Sequence, residues 1–396
     1  MTAHRDESLD LGVARQRFEE SVDFTMAVEE EFAILDPETL ELAHGFAELF
    51  AASQDDPQLA ESVRGELIDT EIEIRSGRSE SFAEMVERQG QHRRLLFALA
   101  EGSGFGLGSS GTHPWASYLD QAIIETPHYQ RLRAELGWVA QRNNTWSLHV
   151  HVGVRGPDRA IAVCDQLRNV LPTLLALSSN SPFLDGRDSG LHSVRSQIFT
   201  RSFPRCGIHD PFGDWATYAA FVDLLERTES IVESTQLWWS VRPHHAFGTV
   251  EVRICDAQTR GEESFALAGA LIASVAQAAL DYDDGRLARP LRAREIEENL
   301  WRAIRFGQEG RMIDFEREEE IPTAEAIERL VAWTAPAREL LAIEDPLSVL
   351  DGLSGAQRTR AAVEAGGSIA EVYRDSVEQT RDTFAREAPR PVGSEG

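Results

Sequence analysis

Hydrophobic and polar positions alternate with the period of a β-strand in four places along the chain. Most of the remainder repeats with the period of a helix. Thr25 to Leu35 is strand-like and runs into a turn at Asp36-Pro37-Glu38-Thr39. Thr70 to Arg75, Trp146 to Val154 and Phe247 to Cys255 alternate in the same way. Helical spacing predicts a helix over Phe82 to Glu101, with Met85, Leu95, Leu96 and Leu99 on its apolar side. A second helix is expected from about Arg159 to Leu177, after a turn in which Pro157 is well placed near the helix start. Trp215 to Trp239 reads as mostly helical. Beyond Glu262 the chain reads as helices, including a Glu-rich one around Glu316 to Glu328. Strands separated by long helical insertions, without βαβ alternation, predict an α+β fold whose antiparallel or mixed sheet carries the site.

Three segments fall outside this pattern. Residues 1–23 read as an N-terminal arm or short helix, and 387–396 as a disordered tail. Residues 24–386 are then expected to form one domain. Ser178 to Gly213 is long, weakly periodic and rich in Ser, Gly, Pro and Arg. A segment of that kind is usually functional or disordered. The five glycines between Gly102 and Gly111 have no P-loop lysine after them and read as flexible or tightly packed backbone.

Charge narrows the function classes. The 66 acidic and 39 basic residues give a net charge of -27, which opposes nonspecific binding to nucleic acid or to anionic membranes. The most apolar stretch, Phe265 to Leu280, is shorter than the roughly 20 residues of a spanning helix and reads as a buried one. Three scattered cysteines fit a reducing compartment, and with no apolar leader in Met1 to Asp23 a cytoplasmic protein is expected.

Candidate chemistry sits on the strands. In Val28-Glu29-Glu30-Glu31-Phe32, Glu29 and Glu31 share one face and Glu30 takes the other. Adjacent carboxylates repel unless a cation lies between them, and Mg²⁺ or Mn²⁺ prefers oxygen ligands. An exposed acidic strand face is the alternative. Gly65-Glu66-Leu67 is followed by a strand on which Glu71, Glu73 and Arg75 share a face, as metal ligands or as a salt-bridged surface. His149 and His151 project from one face of Ser147 to Val154, as metal or phosphate ligands or as packed histidines. Glu251 and Arg253 share a face of the last strand, as ligand and phosphate-binding guanidinium or as a cross-strand ion pair. Together, four polar faces, each opposite an apolar one, suggest an acidic, metal-filled cleft lined by a sheet.

These motifs, in this order, resemble the type 2 glutamate–cysteine ligase family of carboxylate–amine ligases. The resemblance covers roughly residues 25 to 375. It rests on Val28-Glu29-Glu30-Glu31-Phe32, Ser110-Gly111-Thr112-His113-Pro114, Leu148-His149-Val150-His151-Val152-Gly153 and Trp238 to His244 running into Phe247 to Arg253. It implies a glutamine-synthetase-like fold, with a curved, mostly antiparallel sheet forming a funnel and helices packed outside. It implies ATP and Mg²⁺ (or Mn²⁺) as cofactors, a glutamate-like carboxylate and a cysteine-like amine as substrates, and a homodimer. By the same resemblance Glu29, Glu31, Glu66, Glu73, His149 and Glu251 are metal ligands. His151 and Arg253 face the nucleotide phosphates, and Arg195 grips the substrate carboxylate. Trp146-Ser147 departs from the Cys-Gly that many members carry before the Leu-His-Val-His strand. A metal-dependent amidohydrolase is the alternative. It would recruit further histidines from among His192, His209, His244 and His245, on parallel strands. Phosphagen-kinase-like transfer and a non-catalytic binding protein are the remaining readings.

Overall fold

The computed structural model describes residues 10–385, so the expected disordered tail lies outside the described residues. The strands are β1 (Met26–Leu35), β2 (Val63–Arg64), β3 (Glu71–Arg75), β4 (Gly106–Gly108), β5 (Ser147–Gly153), β6 (Phe183–Leu184), β7 (Arg187–Asp188), β8 (Val241–His244), β9 (Thr249–Asp256), β10 (Arg311–Asp314) and β11 (Glu319–Pro322). Seven of them form one sheet in the order β2-β3-β1-β5-β9-β8, with β4 also paired to β1. Every pairing in it is antiparallel. The sheet is the antiparallel one expected for an α+β protein, and it rules against the parallel strands of the amidohydrolase alternative.

One face of this sheet is apolar. Val28, Leu148, Val150, Val152, Val250, Val252 and Ile254 form its buried surface, and Phe32, Ile72 and Ile74 extend it toward β3. The helices Leu11–Glu20, Phe82–Gly102, Pro157–Leu167, Leu171–Ser178 and Gly261–Asp283 cover it through Phe18, Met85, Ile161, Leu174 and Leu271. The described part of the N-terminal arm therefore holds a short helix, Leu11–Glu20, whose Phe18 is fully buried. Gly261–Asp283 is long and apolar enough to cross a membrane by composition alone. Most of that stretch is buried inside the protein, where it serves as the central core helix.

Two helical expectations need correction. The single helix over 159–177 is two helices, Pro157–Leu167 and Leu171–Ser178, bent by 60°. Pro172 sits in the first turn of the second helix, where its missing N–H costs nothing, whereas in mid-helix it would break the ladder. The Glu-rich helix over 316–328 is instead the β10–β11 hairpin followed by a helix that starts only at Thr323. Ile321 and Met312 are buried on the hairpin's inner side, Glu318 takes a left-handed turn conformation, and Pro322 blocks extension of the helix backward. Within the long Ser178–Gly213 segment lie the β6–β7 hairpin and the helix Val194–Ser202. The glycine run is tightly packed only toward its end, where a Cβ on Gly108 would lie 2.9 Å from the Tyr373 hydroxyl and one on Gly111 2.8 Å from Asp256, whereas one on Gly102 or Gly104 meets nothing within 4 Å.

One acid interrupts the apolar face. Glu30 is buried there and accepts from Arg93 Nε at 2.6 Å, from Gln89 at 2.8 Å and from Ser264. The Arg93 guanidinium lies over the rings of Phe265 and Phe384, 3.6 and 4.4 Å from their centroids. A buried charge is tolerated when it is paired and its hydrogen bonds are met, and removing one partner strands the other. Arg93→Ala is therefore expected to lower the unfolding free energy by about 3–5 kcal/mol, measured by urea denaturation.

Candidate active site

The other face of the sheet gathers the charged residues in cross-strand rows. The register sets Arg64 opposite Glu73 and Glu73 opposite Glu31. It sets Arg75 opposite Glu29 and Glu29 opposite His149. A third row runs from His151 to Glu251 to Arg242. Directly opposed residues on one face lie close enough for their side chains to interact. Residues as distant in sequence as Glu29 and Glu251 thus meet because an antiparallel ladder stacks them. Between Leu148 and Val150 on β5 the register advances two residues while β9 advances three, from Val252 to Cys255. This bulge lies opposite His149, beside Arg253, and bulges of this kind re-aim side chains next to active sites.

Two compact sets of donor atoms result. Glu29, His149 and Glu251 form one and Glu31, Glu73 and His149 the other, with the donor atoms of each set within 4.8 Å of one another. His149 Nδ1 is 3.5 Å from Glu29 and 3.8 Å from Glu31. Its Nε2 lies 2.7 Å from Ser147 Oγ, and that hydroxyl donates to Glu31 at 2.6 Å. The serine has one proton and gives it to the carboxylate, so it accepts from His149 Nε2–H. This assigns the tautomer and leaves the Nδ1 lone pair facing the acids, the arrangement a metal-ligating imidazole needs. Burial, reinforced by Arg253, pushes the His149 pKa down to about 3, so the ring is neutral.

The acids divide into two classes. Burial raises Glu29 and Glu251, but facing cations outweigh it and hold both well below the usual carboxylate range. Glu29 faces Arg75 at 3.1 Å and His151 at 3.4 Å. Glu251 faces Arg242 at 2.6 Å and Arg253. Glu31, Glu66, Glu71 and Glu73 move the other way. Burial, together with the neighbouring acids, raises Glu31 and Glu66 to about 7 and Glu71 and Glu73 well above their ordinary value. Glu71 Oε2 is buried without a hydrogen-bond partner. An acidic pocket that holds protons for lack of a counter-charge, and keeps an imidazole lone pair pointed into it, fits a divalent cation bound by oxygens and one nitrogen.

The sequence-predicted residues are mostly brought together. Glu29, Glu31, Glu73, His149 and Glu251 make up the two donor sets. Glu66, on the loop before β3, is electrostatically coupled to Glu31, Glu29, Arg75 and Arg253 but belongs to neither set. His151 lies between Glu29 and Glu251, at 3.4 and 3.9 Å. Burial lowers its pKa, yet the two acids reverse that and raise it. Arg253 pairs with Glu251 and reaches His149 Nδ1 at 3.5 Å. Arg195 is largely committed to the scaffold, because its two terminal nitrogens donate to the carbonyls of Ile254 and Arg253 at 3.0 and 3.1 Å. The amidohydrolase histidines do not assemble. His192 faces Glu309, His209 packs on Phe212 and Trp239, and His245 bonds Tyr218; only His244, against His151, borders the site.

Sequence reasoning missed two participants and left a third open. Arg242 neutralises Glu251 from β8, a strand the alternation did not reveal. Ser147 sets the His149 tautomer, in the position where this chain departs from the Cys-Gly pattern. Glu71 shares a face with Glu73 and Arg75, which was the available signal for a further site acid.

Two predictions follow from the electrostatics. In the unfolded chain these carboxylates ionise near their ordinary values, whereas folded Glu31 and Glu66 keep protons until about pH 7. The folded state then binds more protons between those limits, so metal-free protein loses stability as pH rises from about 5 to 8. Mg²⁺ replaces those protons, and the increase in melting temperature it causes should be larger at pH 8 than at pH 6. Ser147→Ala should weaken Mg²⁺ binding by about 10- to 100-fold, read by calorimetry, because the His149 ring loses the contact that orients it.

Comparison with known proteins places this geometry in a lineage. Residues 25–375 match the family described as glutamate-cysteine ligase family 2. A Rubrobacter xylanophilus protein provisionally named glutamate–cysteine ligase 2-2 is 39% identical over 361 residues, covering 90% of this chain and 91% of that one. A similarly named protein of Sorangium cellulosum is 37% identical over 365 residues, covering 90% and 96%. Among solved structures, the glutamate–cysteine ligase of Francisella tularensis in complex with AMP superposes with a TM-score of 0.66 at 11% identity, covering 93% of this chain and 90% of that one. A bifunctional glutathione synthetase from Pasteurella multocida gives a TM-score of 0.66 at 12% identity, covering 94% and 54%. At such identities the structural likeness establishes the shared fold, and the sequence match carries the lineage: the chain belongs to glutamate–cysteine ligase family 2.

Proposed function

We propose that the chain is an ATP-dependent ligase that activates a glutamate-like carboxylate and joins it to a cysteine-like amine. The observation that carries this reading is the pair of donor sets sharing His149, with the cationic His151 and Arg253 at their edge. AMP in the Francisella tularensis structure supports an adenine nucleotide as the partner of that edge. Glu29, Glu31, Glu73, His149 and Glu251 would hold Mg²⁺, or Mn²⁺, with Glu66 and Glu71 beside them. The bound ions supply charge neutralisation for the triphosphate.

The chain's own residues do the remaining work by position and charge. Arg75 and Arg242 clamp Glu29, Glu73 and Glu251, so that the donor atoms do not need to reorganise when the nucleotide arrives. Ser147 sets the tautomer of the neutral His149 ring, which leaves Nδ1 free of a proton. Arg253 and protonated His151 offer donors to phosphate oxygens, in surroundings of low dielectric where such contacts are strong. A substrate carboxylate oxygen attacks the γ-phosphorus of ATP, the bond to the β-phosphate oxygen breaks, and ADP leaves with an acyl phosphate formed. The amine nitrogen then attacks the acyl carbon, its proton is lost, and inorganic phosphate departs as the amide forms.

Incubation with MgATP and a panel of carboxylates and amines should release phosphate only when both substrate types are present, with an amide detected by mass. A stable acyl phosphate formed without the amine would instead make the protein a kinase. Glu251→Gln retains a hydrogen-bonding group between Arg242 and Arg253 but removes the charge. It should cut turnover by about 100-fold or more, with retention of the fold checked by circular dichroism. Alanine at the same position would strand two buried guanidiniums and is expected to destabilise the fold as well.

A further inference from the structure

The segment Ser110-Gly111-Thr112-His113-Pro114 carries part of the family resemblance, yet no residue of it belongs to either donor set. Ser110, Thr112 and Pro114 instead line a different pocket, of about 350 Å³ and partly open to solvent. Residues 180–183 and the helices Gly355–Glu364 and Ile369–Phe384 supply most of its other walls. None of the described side chains that line it is an acid, a histidine, a lysine or an arginine.

The pocket is polar, but its polarity runs one way. A hydroxyl has one proton to give and two lone pairs to receive with. Ser110 gives its proton to the Thr112 carbonyl at 2.9 Å, and Thr112 to the Phe183 carbonyl at 3.1 Å. Thr359 and Ser376 give theirs to the Gly355 and Val372 carbonyls, each at 2.9 Å. Ser181 donates to Asp256 at 2.7 Å. These hydroxyl oxygens have only lone pairs left for a guest. Tyr373 is the reverse. Its oxygen is buried without a hydrogen-bond partner, and the residue is 5% exposed. His113 and Trp115 pack edge-on against its ring, with centroids 4.8 and 5.3 Å away. Burial pushes the phenol above its ordinary range, so it keeps its proton. A buried hydroxyl left open in a native protein calls for an explanation, and a ligand that accepts from it is one.

The matching guest carries at least two donors beside one acceptor and no charge. A carboxylate would face lone pairs with no cation to meet it. An ammonium would exchange water for hydroxyl oxygens alone, and having no acceptor it would leave Tyr373 unmet. A primary carboxamide has two N–H donors and one carbonyl, which answers both demands. Pro182, Phe183 and Val372 give apolar walls to the carbon that bears it.

We propose that this pocket is a binding site for a primary carboxamide, whose carbonyl accepts from Tyr373 and whose NH₂ group donates to the serine and threonine oxygens. The site is separate from the acidic cleft and does not depend on the ligase reading. Ser181 joins the two regions: its oxygen also accepts from the Arg195 N–H, and Asp256 receives Ser193 at the start of the helix that carries Arg195.

Ligand-observed NMR titration of the full chain with propionamide, propionate and propylamine at neutral pH compares guests of one size and three charges. Propionamide should bind saturably and about fivefold or more tighter than either of the others. Tyr373→Phe breaks no hydrogen bond within the protein, so it should leave the melting temperature unchanged while weakening propionamide about five- to tenfold. Thr359→Val keeps the shape but removes an oxygen, and should weaken it severalfold. Absence of saturable propionamide binding would overturn the proposal. So would propionate or propylamine binding as tightly, or an unchanged propionamide affinity in Tyr373→Phe. Each of these results leaves the phosphate-release assay of the ligase reading untouched.

Discussion

Like charges taken out of water repel each other and lose their hydration, and this chain gathers five such carboxylates on one face of a sheet, with Glu66 on the loop beside them. The structure around them answers that constraint. Arg75 bridges Glu29 and Glu73, Arg242 and Arg253 enclose Glu251, and Glu71 and Glu73 are pushed above the usual carboxylate range because burial and the neighbouring acids outweigh the cations that reach them. The arrangement is uneven by design of the ladder. Cations sit at both ends of the rows, on β3 and β8, while the middle strands β1 and β5 carry acids and imidazoles. The deficit of positive charge therefore falls at the centre, where His149 aims its lone pair.

The same strand serves two masters. On β1, Glu29 and Glu31 look into the cleft while Glu30, between them, is pinned through Arg93 to the helix Phe82–Gly102 and through Ser264 to the helix Gly261–Asp283. A buried ion pair contributes less stability than its geometry suggests, but it fixes register. A slip of one residue on β1 would send Glu30 into the cleft and two acids into the core. Holding Glu30 in place thereby holds the site in place.

Much of this was legible in the sequence because a strand has a period of two. Alternation alone put Glu29 with Glu31, His149 with His151 and Glu251 with Arg253, and assigned their apolar faces to the core. It could not show Arg242, whose strand is only four residues long and interrupted by Pro243, nor Ser147, whose role depends on a proton and not on a pattern. The resemblance implied a substrate contact for Arg195, and its backbone bonds to β9 arise from tertiary packing that no local spacing encodes. The helix break at Pro172 was readable in principle. The β10–β11 hairpin was masked by glutamates, which are good helix formers, until the burial of Ile321 and Met312 decided the matter.

The β1–β5–β9 ladder also has a kinetic consequence. Its central strands are separated by about a hundred residues or more at each step, so the rows cannot form by local closure, and such topologies fold slowly. Glu29 and Glu31 meet Glu71 and Glu73 across the shorter β1–β3 connection, whereas Glu251 joins them only through the long-range β5–β9 pairing, so part of the repulsion opposes a slow closure. A divalent cation held in the cleft would offset that repulsion, and so would act on folding as well as on chemistry.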